Sequence, residues 1–194
     1  MNKTRLEAFS DGVLAILVTI MVLELKVPSG TSWAEVHPVL EKLGSYLLSF
    51  TYLAIYWGNH HHLLHTAGRV NAKIMWANMH LLFWLSLVPF ATAWMGDNSF
   101  DSISVAVYAT LLVLCGLSFG ILTLAIEKGR IEHTKLSEAF KKTRAKERLS
   151  TFLYLSSIPL AFVHPLISCA IFVTVAIMWI VPSKEIELSL NESV

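Results

Sequence analysis

Apolar residues fall along this chain in long blocks, separated by short stretches that collect charge, proline and glycine. A helix needs about 20 apolar residues to cross a bilayer, and six blocks approach that length, at roughly 6–25, 40–64, 74–95, 103–126, 149–164 and 166–182. The pattern predicts an all-α fold: one polytopic membrane subunit of six transmembrane helices occupying residues 1–194. The last two blocks are short and predict a helical hairpin that turns at His164 and Pro165, with Pro159 kinking the fifth helix. Residues 26–38 hold Pro28, Ser29, Gly30, Thr31 and Pro38 and read as a loop. Residues 127–148 are strongly basic and amphipathic at best, which suits a solvated face near anionic lipid. No second copy of the first block appears, so an internal repeat of the transporter kind is not expected.

The first block has two sides. Asp11 lies about two turns inside it, at a depth where an unpaired charge costs roughly 2.5 kcal/mol or more. Ile16, Thr19, Ile20 and Leu23 are spaced i, i+3, i+4, i+7 and share one helical face. At about 100° per residue, Asp11 points about 140° away from Ile16. One side of the helix therefore reads as tethered and the other as available, either to packed neighbours or to a lumen. Asp11 itself reads either as an anchor held by Ser10, Arg5 or a histidine, or as a proton or cation carrier.

Composition strengthens the membrane assignment: 55% of the residues are hydrophobic and 15% charged, with a mean hydropathy of +0.59, outside the soluble range. The net charge of +1 gives no footprint for nucleic acid. What the charges do reveal is orientation. With the N-terminus in the cytoplasm, 13 of the 15 Lys and Arg residues lie on that side and only Lys26 and Lys42 lie outside, so both termini are expected to be cytoplasmic in a cell (inner) membrane. Nothing ahead of Arg5 has the shape of a cleavable signal, so the first helix is expected to be retained. Trp33, Tyr46, Trp94 and Trp179 fall near block ends, as an interfacial aromatic belt requires. Cys115 and Cys169 sit in apolar runs, the ordinary place for buried thiols. No nucleophile is paired with a base at a workable spacing and no phosphate loop follows a strand, so an enzyme is not expected.

This topology brings several polar residues to one depth in the inner half of the bilayer. Asp11 is about 9 Å above Arg5 at 1.5 Å per residue. The second block descends through Asn59, His60, His61, His62 and His65, and the third soon meets Asn78 and His80. A cluster of these residues tying the first helix to the second and third would supply Asp11 with partners that lipid lacks. The histidine run also has metal-ligand spacing, His61 and His65 at i, i+4 and His62 and His65 at i, i+3. Only Asp11 adds a carboxylate at that depth, however, and no metal site is expected. His80 and His164 read as satisfied structural residues, with pH sensing the other role open to an imidazole.

The run R-x-x-x-F-S-D, here Arg5, Phe9, Ser10 and Asp11, continues as G-V-x-A-I-x-x-T with Gly12, Val13, Ala15, Ile16 and Thr19. It resembles the first-helix signature of the transmembrane protein 175 family of potassium channels. The resemblance extends to six spans, a histidine-rich second span and a chain of this size. It implies a homotetramer with a potassium pore on the four-fold axis, lined by four copies of the first helix and lacking a carbonyl filter, and no TVGYG-like stretch occurs in the sequence. By position in the motif it makes Ile16 the narrowest apolar ring, Thr19 a hydroxyl ring beside it, and Ile20 and Leu23 further constrictions toward the outside. Arg5, Phe9, Ser10 and Asp11 become a buried hydrogen-bonded support. The implied partners are further copies of the chain, membrane lipid and permeant potassium, with no cofactor and no nucleic acid. The alternative from the residues alone is a proton-coupled carrier or metal transporter that uses Asp11 and the His60 to His65 cluster.

Overall fold

In the computed structural model, residues 2–128 and 134–180 are described, and all regular structure among them is helical. The helices are α1 (Lys3–Leu23), α2 (Trp33–Thr66), α3 (Ala72–Ser86), α4 (Val88–Asp97), α5 (Ser102–Glu127), α6 (Thr134–Val163) and α7 (Pro165–Ile180). Three stretches are long and apolar enough to cross a bilayer, Lys3–Leu23, Ala72–Asp97 and Ser102–Glu127, and Pro165–Ile180 is a shorter apolar helix. The expected hairpin turn is present, because α6 ends at Val163 and Pro165 opens α7 with His164 between them. Residues 181 and 182 of the sixth block lie outside the described residues.

Three boundaries differ from the sequence reading, each for a local physical reason. The helix of the second block begins at Trp33, not near residue 40, and Pro38 lies inside it. Glu35 secures that start: its carboxylate accepts from the Ser32 N–H (3.3 Å) and hydroxyl (2.9 Å) and from the Ser29 hydroxyl (3.2 Å). The third block is two helices broken at Leu87, where Pro89 has no N–H to offer the carbonyl four residues back. Pro159, by contrast, sits within an uninterrupted α6. Finally, α6 begins at Thr134, far ahead of residue 149, so most of the basic segment is helical. Arg144 pairs with Glu127 (3.1 Å) and the Thr123 hydroxyl donates to Glu147 (3.0 Å), fastening this extension to α5.

Helix α5 is the hub, packing against α3, α4, α6 and α7, while α1 rests on α2, α3 and α4. In hydrocarbon every polar group needs an internal partner, and no buried side-chain nitrogen or oxygen among the described residues lacks one. Two hydroxyl knots do this work in the core. Ser49 Oγ lies 2.8 Å from the Tyr108 hydroxyl and 2.6 Å from that of Thr92, which also reaches Val88 O at 2.7 Å, joining α2, α4 and α5. Tyr154 donates to the Tyr52 hydroxyl (3.0 Å), which donates to Phe172 O (2.6 Å), joining α6, α2 and α7. At the opposite end of the molecule from the His65 turn, Lys42 pairs with Asp97 and the Ser99 hydroxyl donates to Glu41.

Candidate functional site

Helix α1 buries one stripe and bares another. Leu6, Ser10, Leu14, Leu17 and Met21 recur at three- and four-residue intervals and are buried against α2, α3 and α4. On the other side Ile16 is 57% exposed, Ile20 41% and Leu23 78%, with Gly12, Ala15 and Thr19 exposed between them. Bare apolar side chains are ordinary where lipid is the solvent. What sets α1 apart is degree: 28% of its apolar window is buried in the subunit, against 50% for Ala72–Asp97 and 56% for Ser102–Glu127. The Thr19 hydroxyl donates to Ile16 O at 2.8 Å, which uses its proton inside the helix and leaves its oxygen lone pairs facing outward.

The tethered side is held by polar bonds in a chain. Ser10 is fully buried and donates to Leu6 O (2.8 Å). Its oxygen accepts from Asn78 Nδ2 of α3 (2.9 Å), and Asn78 Oδ1 in turn lies 2.6 Å from Nε2 of the buried His60 of α2. An amide oxygen can only accept, so His60 carries its proton on Nε2. Three helices are thus stitched together at one depth by Ser10, Asn78 and His60. Asp11 is held separately: its Oδ1 accepts from Trp57 Nε1 of α2 at 3.0 Å. Its partner is neither Ser10, Arg5 nor a histidine, as the sequence suggested, but a tryptophan standing well inside the second block.

The remaining expected residues are more dispersed. Arg5 is exposed and has no polar partner among the described residues, and Phe9 is 53% exposed, so within one subunit these two do not join Ser10 and Asp11 in a buried support. His61 and His65 are exposed and His62 half-buried, with the His61 ring 5.7 Å from that of His62 and 6.1 Å from that of His65. Among the described residues no group of three His, Cys, Asp or Glu side chains is placed to hold a metal ion. His80 accepts from Trp84 Nε1 (3.0 Å), and His164 Nδ1 from the Leu166 N–H (3.3 Å). Sequence reasoning missed two residues here. Trp57 was signalled only by an indole N–H that needs an acceptor at a depth away from the interface. Lys3 donates to His65 O at 2.9 Å, placing a cation at the C-terminal end of α2, where the last carbonyls are unpaired.

Over 193 residues covering 100% of both chains, this protein is 48% identical to a potassium channel of Chryseobacterium sp. (strain P1-3). The chain belongs to the TMEM175 family. The profile of that family, described as Endosomal/lysosomal potassium channel TMEM175, matches residues 5–89. The match holds Ser10, Asp11, Trp57, His60 and Asn78 and ends at Pro89, beside the break between α3 and α4. A potassium channel of Streptomyces collinus is 30% identical over 84% of each chain. Among solved structures, the crystal structure of a lysosomal potassium-selective channel TMEM175 homolog from Chamaesiphon minutus matches with a TM-score of 0.75 and 26% identity, over 93% of this chain and 97% of that one. In this TMEM175 member the stripe of α1 that carries Ser10 is buried in the subunit, and the apolar stripe of Ile16, Ile20 and Leu23 is the part left uncovered.

Proposed function

We propose that the protein is one subunit of a homotetrameric potassium-conducting channel of the cell (inner) membrane, both termini cytoplasmic, whose pore is lined by four copies of α1. The observation that carries this reading is the asymmetry of α1, the least embedded of the long apolar helices and bare along the file Ile16, Ile20 and Leu23. One copy of a helix encloses nothing, so the file acquires a lumen only through symmetry. The potassium channel that resembles the chain over its full length supports the choice of ion.

In this arrangement rings of Ile16, Ile20 and Leu23 form apolar necks that exclude water when narrow and pass an ion stripped of part of its shell when wider. Potassium sheds water more readily than sodium, so an apolar neck with the Thr19 oxygens nearby favours it. Opening is a small shift of α1 between two packings, and the reading assigns no catalytic step and no cofactor. A proton-coupled carrier or metal transporter would need Asp11 and the His60 to His65 cluster to act together, yet His60 is engaged by Asn78 while Asp11 is engaged by Trp57.

The test is potassium flux from liposomes. The native protein should dissipate a potassium gradient without a proton gradient, and Ile16→Asn, which wets the narrowest ring, should raise the flux and weaken the preference for potassium over sodium. Flux and permeability ratios unchanged by Ile16→Asn would remove α1 from the pore, and flux that required a proton gradient and vanished in Asp11→Asn would favour the carrier.

A further inference from the structure

Where α5 ends and α6 begins, the two helices part to leave a groove of about 490 Å³. Its α5 wall is Leu117, Ile121 and Leu124 over a floor of Gly116 and Gly120, and its α6 wall carries Lys141, Arg144 and Arg148. These cations recur at i, i+3 and i+7, one face of α6. The sequence marks this stretch only as basic; the fold sets it against an apolar trough.

The groove is sorted by polarity along its length. The Arg144–Glu127 pair and the Thr123–Glu147 hydrogen bond fix the antiparallel register, so Lys141 and Arg144 stand at the terminus of α5. Leu117 precedes Glu127 by ten residues, and lies about 15 Å further along the axis toward the bilayer centre. The apolar side chains are available: Leu117 is 48%, Ile121 47% and Leu124 40% exposed. The floor is open as well, since a Cβ built on Gly116 meets no atom within 4 Å. Among the described residues three cations stand near two carboxylates: Glu127 is taken by Arg144 and Glu147 accepts from Thr123, while Lys141 and Arg148 are exposed, the Arg148 Nε–H donating to Arg144 O at 3.3 Å. The helices on which α1 chiefly rests are α2, α3 and α4, so a lumen lined by α1 does not compete for the groove between α5 and α6.

A ligand that satisfies both halves has an anionic head and a hydrocarbon tail. A free phosphate would use the cations and leave the trough empty, and a zwitterionic lipid would bring its own ammonium against Arg144 and Arg148. The geometry points to a site for one anionic glycerophospholipid per subunit, its phosphate against Lys141, Arg144 and Arg148 and one acyl chain along Leu117, Ile121 and Leu124. The bound lipid pins the α5 and α6 ends together at the membrane surface.

Native mass spectrometry of the full-length protein in detergent tests this, using phosphatidylglycerol and phosphatidylcholine of identical chains at equal concentration. Phosphatidylglycerol should be retained about thirtyfold better, the order expected when two basic side chains each favour an anionic head. Lys141→Gln/Arg148→Gln should bring its retention down to that of phosphatidylcholine. Gly116→Leu keeps every charge but fills the trough, and should also reduce phosphatidylglycerol retention. Glycerol phosphate, the head without the chain, should not compete. Equal retention of the two lipids by the native protein overturns the proposal, as does undiminished phosphatidylglycerol retention in both variants; displacement by glycerol phosphate reduces the site to anion binding. If the charge variant does not fold, Gly116→Leu and the competition decide. None of these readouts depends on conduction, so the site is judged apart from the pore.

Discussion

The buried chain from Ser10 through Asn78 to His60 makes a quantitative demand. Asn78→Leu preserves bulk but deletes the partner of the His60 Nε2–H and a donor to Ser10. Leaving one buried donor unpaired costs about 1–3 kcal/mol, whereas Ser10 retains its bond to Leu6 O and loses less. Asn78→Leu should therefore destabilise the protein by about 2 kcal/mol and Ser10→Ala, which orphans one Asn78 N–H, by about 1 kcal/mol. Hydrogen bonds between membrane helices average roughly 0.6 kcal/mol in double-mutant cycles. The Ser10→Ala/Asn78→Leu double variant should thus fall short of the sum of the singles by about 0.6–1 kcal/mol. The assay is unfolding of the purified protein in mixed micelles by titrated dodecyl sulfate, followed by far-UV circular dichroism and tryptophan fluorescence. A neutral Asn78→Leu, or a double variant equal to the sum within about 0.3 kcal/mol, would refute the claim that this chain fastens α1 to α3.

Trp57→Phe keeps the aromatic body but removes the N–H that Asp11 accepts. It should cost about 1.5–3 kcal/mol in the same titration, and Asp11→Asn, whose amide oxygen still accepts that bond, should cost less. At the start of α2, hydrogen bonds from the Ser32 side chain, then its backbone, then the Ser29 side chain hold the Glu35 pKa below the ordinary carboxylate value. A depressed pKa adds stability that is present above the unfolded value of about 4.3 and is lost as pH falls through the folded one. Hydrogen exchange at the Glu35 and Val36 amides, corrected for intrinsic rates, should thus lose protection in acid, while Glu35→Gln should flatten that dependence.

Much of this architecture is written locally. The long apolar blocks announce their helices, and the proline after His164 forces the turn between α6 and α7. That Asn78 and His60 share a depth with the polar part of α1 was legible, but Asp11, which they were expected to serve, is bonded to Trp57 instead. What failed were inferences in which neighbours outvote local signals. Pro28, Gly30 and Pro38 suggested a loop, although Ser32 and Glu35 three residues on already spelled a helix start. Pro89 lies beside a helix break that the sequence reading ran through as one block. The charged first half of α6 has no apolar pattern to advertise it; Glu127 and Thr123 of α5, distant in sequence, hold it in place. Trp57, well inside the second block, went unremarked in the sequence and proved to be the clasp on Asp11.

The interruption at Leu87 divides what α1 leans on. Its N-terminal portion is bonded through Ser10 to Asn78 on α3, whereas its C-terminal portion meets α4, where Met21 Sδ lies 4.0 Å from the Thr92 hydroxyl. Beside the continuous α2, the rod is thus mounted on two separate bearings. A change of angle between α3 and α4 would therefore load the two ends of α1 differently, while the unbroken α2 runs alongside.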